Sequence, residues 1–207
     1  MPSKYVVRDF SENSYYNIFN RGLDKRDIFT NDKDYTFFIT YLFIYTRPIN
    51  EVKERFPDVP TRLLEKNLSS EIELIGYALM PNHFHLLLKQ NSKNGASKLM
   101  KQMSNAYTLY FNQKHQRSGP LMAGRFKAAK VPFNMLVPLL RLIQTEPTNH
   151  TSYNYYLNGL AELACSKEFK NQILSQFPNL TKFVEYHRGQ INIARTIDKV
   201  SPYIIDI

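Results

Sequence analysis

The histidines at positions 83 and 85, separated by Phe84, are the residues whose types and spacing most directly suggest chemistry. Side chains alternate across a strand, so two histidines one residue apart project from the same face, with roughly 6.6 Å between their Cα atoms. Phe84 then points the other way, into apolar packing. Two imidazoles placed like this can converge on one metal ion, leaving room for a third protein ligand and for substrate. The same spacing suits two hydrogen-bonded histidines at a wet surface, and spacing alone does not separate the two readings. Cys165, the single cysteine, has no Cys or His partner at metal-site spacing and is expected to be a packing residue in a reducing compartment.

The elements that would carry the pair can be placed from hydropathy pattern and turn chemistry. Residues 15–19 and 71–77 are rich in aromatic and β-branched types and are expected as strands, with a third strand at 83–88 that carries the histidines. Pro81 within Met80-Pro81-Asn82 rules out a central ladder position there and marks the junction between the last two. Between the first and second strands, Phe37, Phe38, Tyr41, Leu42 and Tyr45 recur at helical spacing over 33–45, after a capping residue at Thr30, Asn31 or Asp32. Residues 50–70, with Pro57 and Pro60, are expected as a linker holding a short helix near 62–66. A helix over 97–112 should bury Leu99, Met103, Ala106 and Tyr110, flanked by Met100, Tyr107 and Phe111, with Lys98 and Lys101 facing out. A basic extended segment at 125–131 and a helix from Pro138 to about Pro147 follow, then weaker helical stretches near 158–176 and 180–189. The order β, α, β, β, α, β, α predicts an α+β fold, a central antiparallel sheet with helices on one face and a C-terminal helical extension. We divide the chain into a domain over 1–149 and an extension over 150–207.

The 207-residue chain carries a net charge of +9, and that charge is concentrated. From Leu74 to Thr145 there is no Asp or Glu, while Lys89, Lys93, Lys98, Lys101, Lys114, Arg117, Arg125, Lys127, Lys130 and Arg141 give +10. Soluble surfaces usually intersperse both signs, so a 72-residue stretch without a carboxylate points to a polyanion partner rather than a plain solvated basic face. No run approaches the ~18 apolar residues of a spanning helix, nor does the first segment resemble a signal peptide; a cytoplasmic location is expected.

Four ordered segments carry a family resemblance. Glu73 to Leu88, containing Met80-Pro81-Asn82-His83-Phe84-His85, resembles the strand-loop-strand signature of the HUH single-tyrosine transposases, in particular the REP-associated branch of the IS200-like group. Tyr16 to Gly22 with Arg26 to Phe29 is similar to that family's first strand and turn, Tyr107 to Asn112 to its long helix, and Gly119 to Ala128 to the basic segment after it. The resemblance spans about residues 15–147 and implies a ferredoxin-like related sheet on which His83 and His85 hold a divalent cation, Mg²⁺ or Mn²⁺. It further implies a partner, structured single-stranded DNA in hairpin form, that a helix-borne tyrosine attacks to give a 5′-phosphotyrosine and a free 3′-hydroxyl. Because related transposases include dimers, a homodimer is also an expectation.

One position departs from that pattern. With the proline of the family's tyrosine helix set on Pro147, the nucleophile falls on Leu142, which has no nucleophilic atom. Glu146, four residues on, takes the place of an amide that completes the metal site, and a carboxylate there would suit Mg²⁺ or Mn²⁺. Tyr153, Tyr107 and Tyr110 are the candidate substitutes for the tyrosine, against a reading in which cleavage has been lost and DNA binding kept. Arg21, Lys101, Arg125, Lys127 and Lys130 are the expected phosphate contacts.

Overall fold

The computed structural model describes residues 9–158, 164–189 and Tyr203. Four strands, β1 (Ser14–Arg21), β2 (Ile72–Met80), β3 (His83–Gln90) and β4 (Lys127–Val131), form one sheet in the order β2-β3-β1-β4, with every neighbouring pair antiparallel. This is the antiparallel α+β plan expected from the order of elements, in the ferredoxin-like arrangement that the resemblance implied. Pro81 and Asn82 form the two-residue connection between β2 and β3. The proline thus costs no ladder bond, and its carbonyl instead accepts from the N–H groups of Ile28 (2.7 Å) and Phe29 (2.9 Å).

Helices α1 (Asp32–Thr46), α2 (Ile49–Arg55) and α3 (Thr61–Leu64) connect β1 to β2, and α4 (Gly95–Lys114) connects β3 to β4. The linker expected over 50–70 therefore holds two helices; α2 buries only Val52, too weak a stripe to stand out among its charged residues. On one face of the sheet Phe84 meets Phe38 of α1 with ring centroids 5.1 Å apart, and Phe38 meets Tyr107 of α4 at 5.2 Å. The buried stripe of α4 is Leu99, Met100, Met103, Tyr107 and Phe111, so Ala106 and Tyr110 sit half-exposed at its margin instead of in the centre. A straight helix turns by 3.6 residues, and over five turns the core-facing line drifts away from the predicted set.

The opposite face is also covered, which corrects the expectation of helices on one face. Helix α5 (Leu136–Gln144) lies over β2: a Cβ on Gly76 would come within 2.3 Å of Leu140 Cδ1. After α5 the chain runs back along the outer edge of β2, where Leu79 N–H donates to His150 O (3.0 Å) and Ser152 N–H to Tyr77 O (3.0 Å), satisfying groups that an edge strand would leave open. Helices α6 (Tyr153–Asn158), α7 (Lys167–Leu174) and α8 (Leu180–Arg188) complete this side. Tyr155, Tyr156, Phe169, Ile173 and Phe183 join the same hydrophobic core as the sheet, so the C-terminal helices pack as part of the body. No described helix is long and apolar enough to cross a membrane.

Candidate functional site

Strand pairing fixes what surrounds the histidines. Arg21 stands opposite His83, Phe19 opposite His85 and Lys127 opposite Phe19, and cross-strand partners share a face. One face of three adjacent strands therefore carries Arg21 and His83 in one row and Lys127, Phe19 and His85 in the next. Lys127 Nζ lies 6.0 Å from the centroid of Phe19, whose ring is 5.6 Å from that of His85. The His83 and His85 rings are 5.6 Å apart and nearly perpendicular, at 86°.

Each imidazole has a partner at Nδ1. Asn82 Oδ1 lies 2.6 Å from His83 Nδ1, which assigns the proton to that nitrogen and leaves the Nε2 lone pair free to bind a ligand. Asn17 Nδ2 lies 3.4 Å from His85 Nδ1 and donates to the backbone carbonyl of Tyr203 at 2.8 Å. Among the described residues no hydrogen bond reaches either Nε2. Both rings are held neutral. Burial lowers the pKa of His83, and burial together with the neighbouring His83 brings His85 down to about 3. A neutral imidazole with an open nitrogen is the form that ligates a metal.

The donor set therefore fits the two-histidine part of a cation site. It does not contain a third ligand: among the described residues no three His, Cys, Asp or Glu side chains form a group that could hold a metal. Glu146 follows the end of α5 and is half-buried, and burial raises its pKa. Leu142, on α5, packs its side chain against the core.

Of the tyrosines expected as substitutes, the two on α4 are turned away from the histidines. Tyr107 lies on α4, across the sheet from the histidines, with its hydroxyl donating to Ile28 O at 2.5 Å; burial raises its pKa far above the ordinary value. Tyr110, on the same helix, donates to Asp34 Oδ1 at 3.0 Å, and burial with that carboxylate pushes it up to about 12. Tyr153 packs against His187 (5.3 Å) and Phe183 (6.2 Å) of α8. His150 stacks on Tyr35, with ring centroids 3.6 Å apart. Of the basic candidates, Arg21 and Lys127 line one small cavity beside the histidines, Lys101 and Arg125 share a separate groove, and Lys130 reaches Ser11 Oγ at 3.3 Å. Asn17 and Tyr203 were missed from sequence, because the 186 positions between them hide the contact.

Residues 39–128 match the family model of the IS200-like transposases. Over that segment the chain is similar to the IS200-like transposases, and the matched residues run from α1 through the histidine strand to the second residue of β4. Its fold is similar to the solved structure of a REP-associated tyrosine transposase bound to a REP hairpin, with 12% identity, a TM-score of 0.45, and coverage of 75% of this chain and 86% of that one. No curated protein matches the chain.

Proposed function

We propose that this IS200-like transposase relative binds structured single-stranded DNA across the histidine face, with a phosphate held by Arg21 and Lys127 and a divalent cation, Mg²⁺ or Mn²⁺, held by His83 and His85. The observation that carries the reading is the pair of neutral imidazoles with open Nε2 atoms on the same sheet face as two cations. Hard divalent ions accept such nitrogens but favour oxygen, so phosphate oxygens and water are the ligands that would complete the set, since Glu146 is not grouped with the two histidines. A bound cation would neutralise charge developing on a phosphate under attack. Arg21 and Lys127 orient that phosphate, and Asn82 fixes the ring of His83.

The fate of the strand depends on the nucleophile. Leu142 supplies none, Tyr107 and Tyr110 are engaged across the sheet from the histidines, and Tyr153 packs on Phe183 and His187. This favours a second reading, a transposase-derived protein that keeps its DNA grip without tyrosine chemistry. Labelled hairpin-bearing single-stranded DNA from beside the gene, incubated with Mn²⁺ or Mg²⁺ and run on a denaturing gel against His83→Ala, separates the cases. A covalent protein-DNA band lost in the variant means another tyrosine attacks. Metal-dependent nicking without that band means activated water, binding without products supports the retired form, and absence of binding refutes the proposal.

A further inference from the structure

A second surface on the far side of the sheet has the chemistry of a strand-binding groove. Helices α1, α3 and α4 enclose an open groove of about 820 Å³. Its rim carries Arg62, Lys66, Lys98 and Lys101, and no Asp or Glu lines it among the described residues. Lys98 is tied to Glu71 at 2.8 Å, whereas Arg62, Lys66 and Lys101 have no ion-pair partner among the described residues. Three uncompensated cations around one concavity raise the local concentration of a polyanion.

The groove also offers flat apolar surface. Tyr41, Phe37 and Tyr110 form a continuous stack, with Phe37 4.3 Å from Tyr41 and 3.9 Å from Tyr110, and each ring is half-exposed. Beside them Leu109 is 61% exposed, far more than an isolated helix leucine needs to be. Gln102 lines the same wall. Aromatic faces and unpaired cations in one groove are the combination by which proteins hold unpaired nucleotides: bases stack and phosphates meet the rim.

We propose that the α1-α3-α4 groove binds an unpaired stretch of DNA, with a base extending the Tyr41-Phe37-Tyr110 stack and its phosphates on Lys66 and Lys101. The site is separated from His83 and His85 by the thickness of the sheet, so one protein could hold two parts of the same strand. Lys101 also lines the neighbouring groove with Arg125, giving bound DNA a basic path towards β4.

The test uses the full chain and oligo(dT) carrying a photoreactive 5-iodouracil, with binding read by anisotropy across a salt series. Lys66→Glu/Lys101→Glu should weaken binding about tenfold or more and reduce the salt slope by roughly 1.4, the value for two phosphate contacts on single strands. Tyr41→Ala should weaken it about fivefold or more, and crosslinks should map to the peptides bearing Tyr41 or Tyr110. Matching melting curves establish that the variants fold, and the lysine pair, exposed on the surface, keeps the test open if Tyr41→Ala does not. Unchanged affinity and slope in the lysine variant, or crosslinks confined to the histidine face, overturn the groove. In that result hairpin binding by the histidine face would persist, whereas its loss in Arg21→Ala/Lys127→Ala would be expected whether or not the groove is used.

Discussion

At the residue scale, the two histidines differ in how they are held. His83 has a short bond from its Nδ1 to Asn82, while His85 is buried against Phe19 with a longer contact to Asn17. Removing a group that orients a ligand typically costs 10–100-fold in metal affinity. Asn82→Ala is therefore expected to weaken Mn²⁺ binding by at least about tenfold, measured by calorimetry, while leaving the melting temperature within a few degrees. Equal Mn²⁺ affinity in variant and parent would remove Asn82 from the site. The triplet itself was legible because strand alternation is a local property: His83 and His85 had to share a face whatever the rest of the chain did. Their partners were a different matter, since Asn17 reaches the pair only through the register of β1 on β3.

At the scale of elements, two positions decide whether the site's scaffold holds. Gly76 is where α5 closes on β2, and an added methyl would run into Leu140 at 2.3 Å and Ser152 Oγ at 3.0 Å. Gly76→Ala should cost about 1–3 kcal/mol by overpacking, seen as a lower urea midpoint at constant slope. Asp34, fully buried at the start of α1, accepts from Thr30 N–H (2.8 Å), Thr30 Oγ (2.7 Å), Tyr110 and Lys114, and so ties α1 to α4. Burial acts to raise its pKa, but the bonds from Lys114, Thr30 and Tyr110 outweigh it and the net shift is downward. Its stabilisation is present above the ordinary carboxylate range and is lost as pH falls through the lowered value. Asp34→Ala removes the buried acceptor shared by Thr30, Tyr110 and Lys114 and should destabilise the fold by about 3 kcal/mol at neutral pH. From sequence the capping role was expected of Thr30, Asn31 or Asp32. The capping position is Asn31, yet its side chain makes no cap bond and its Oδ1 accepts from Lys114 Nζ at 2.9 Å instead.

The whole molecule adds two linked behaviours. His187 lies in the core beneath α8, its Nδ1 bonded to Phe183 O at 3.0 Å; burial, with some help from Arg141, brings its pKa to about 4 from an ordinary 6.5. A depressed histidine is neutral in the folded chain but protonates when unfolded, so its contribution is complete above pH 6.5 and is lost as pH falls towards 4. That difference corresponds to roughly 3 kcal/mol. Urea midpoints followed between pH 7 and 4 should fall less steeply in His187→Gln than in the parent, and parallel curves would mean that acid sensitivity lies elsewhere. DNA binding should in turn depend on salt through Arg21 and Lys127, and their joint replacement by alanine should reduce the slope by roughly 1.4 if both touch phosphate on a single strand.

Several features follow from the sequence alone: the histidine pair on one strand face, the carboxylate-free basic stretch and the antiparallel α+β plan, while the leucine where a tyrosine was expected follows from the family resemblance. The first three are local or compositional, set by side-chain alternation, helical period or residue type. Tertiary structure decided the rest. Tyr107 and Tyr110 have helical spacing that is silent about which side of the sheet their helix covers, and packing against Phe38 and Asp34 puts them opposite the histidines. Arg21 and Lys127 lie far apart in the chain, and only strand register brings them to one cavity, while Lys101 and Arg125 go to another. Residues distant in sequence meet through the packing of whole elements, and the free energy of that packing is shared across the core instead of being written at any single position.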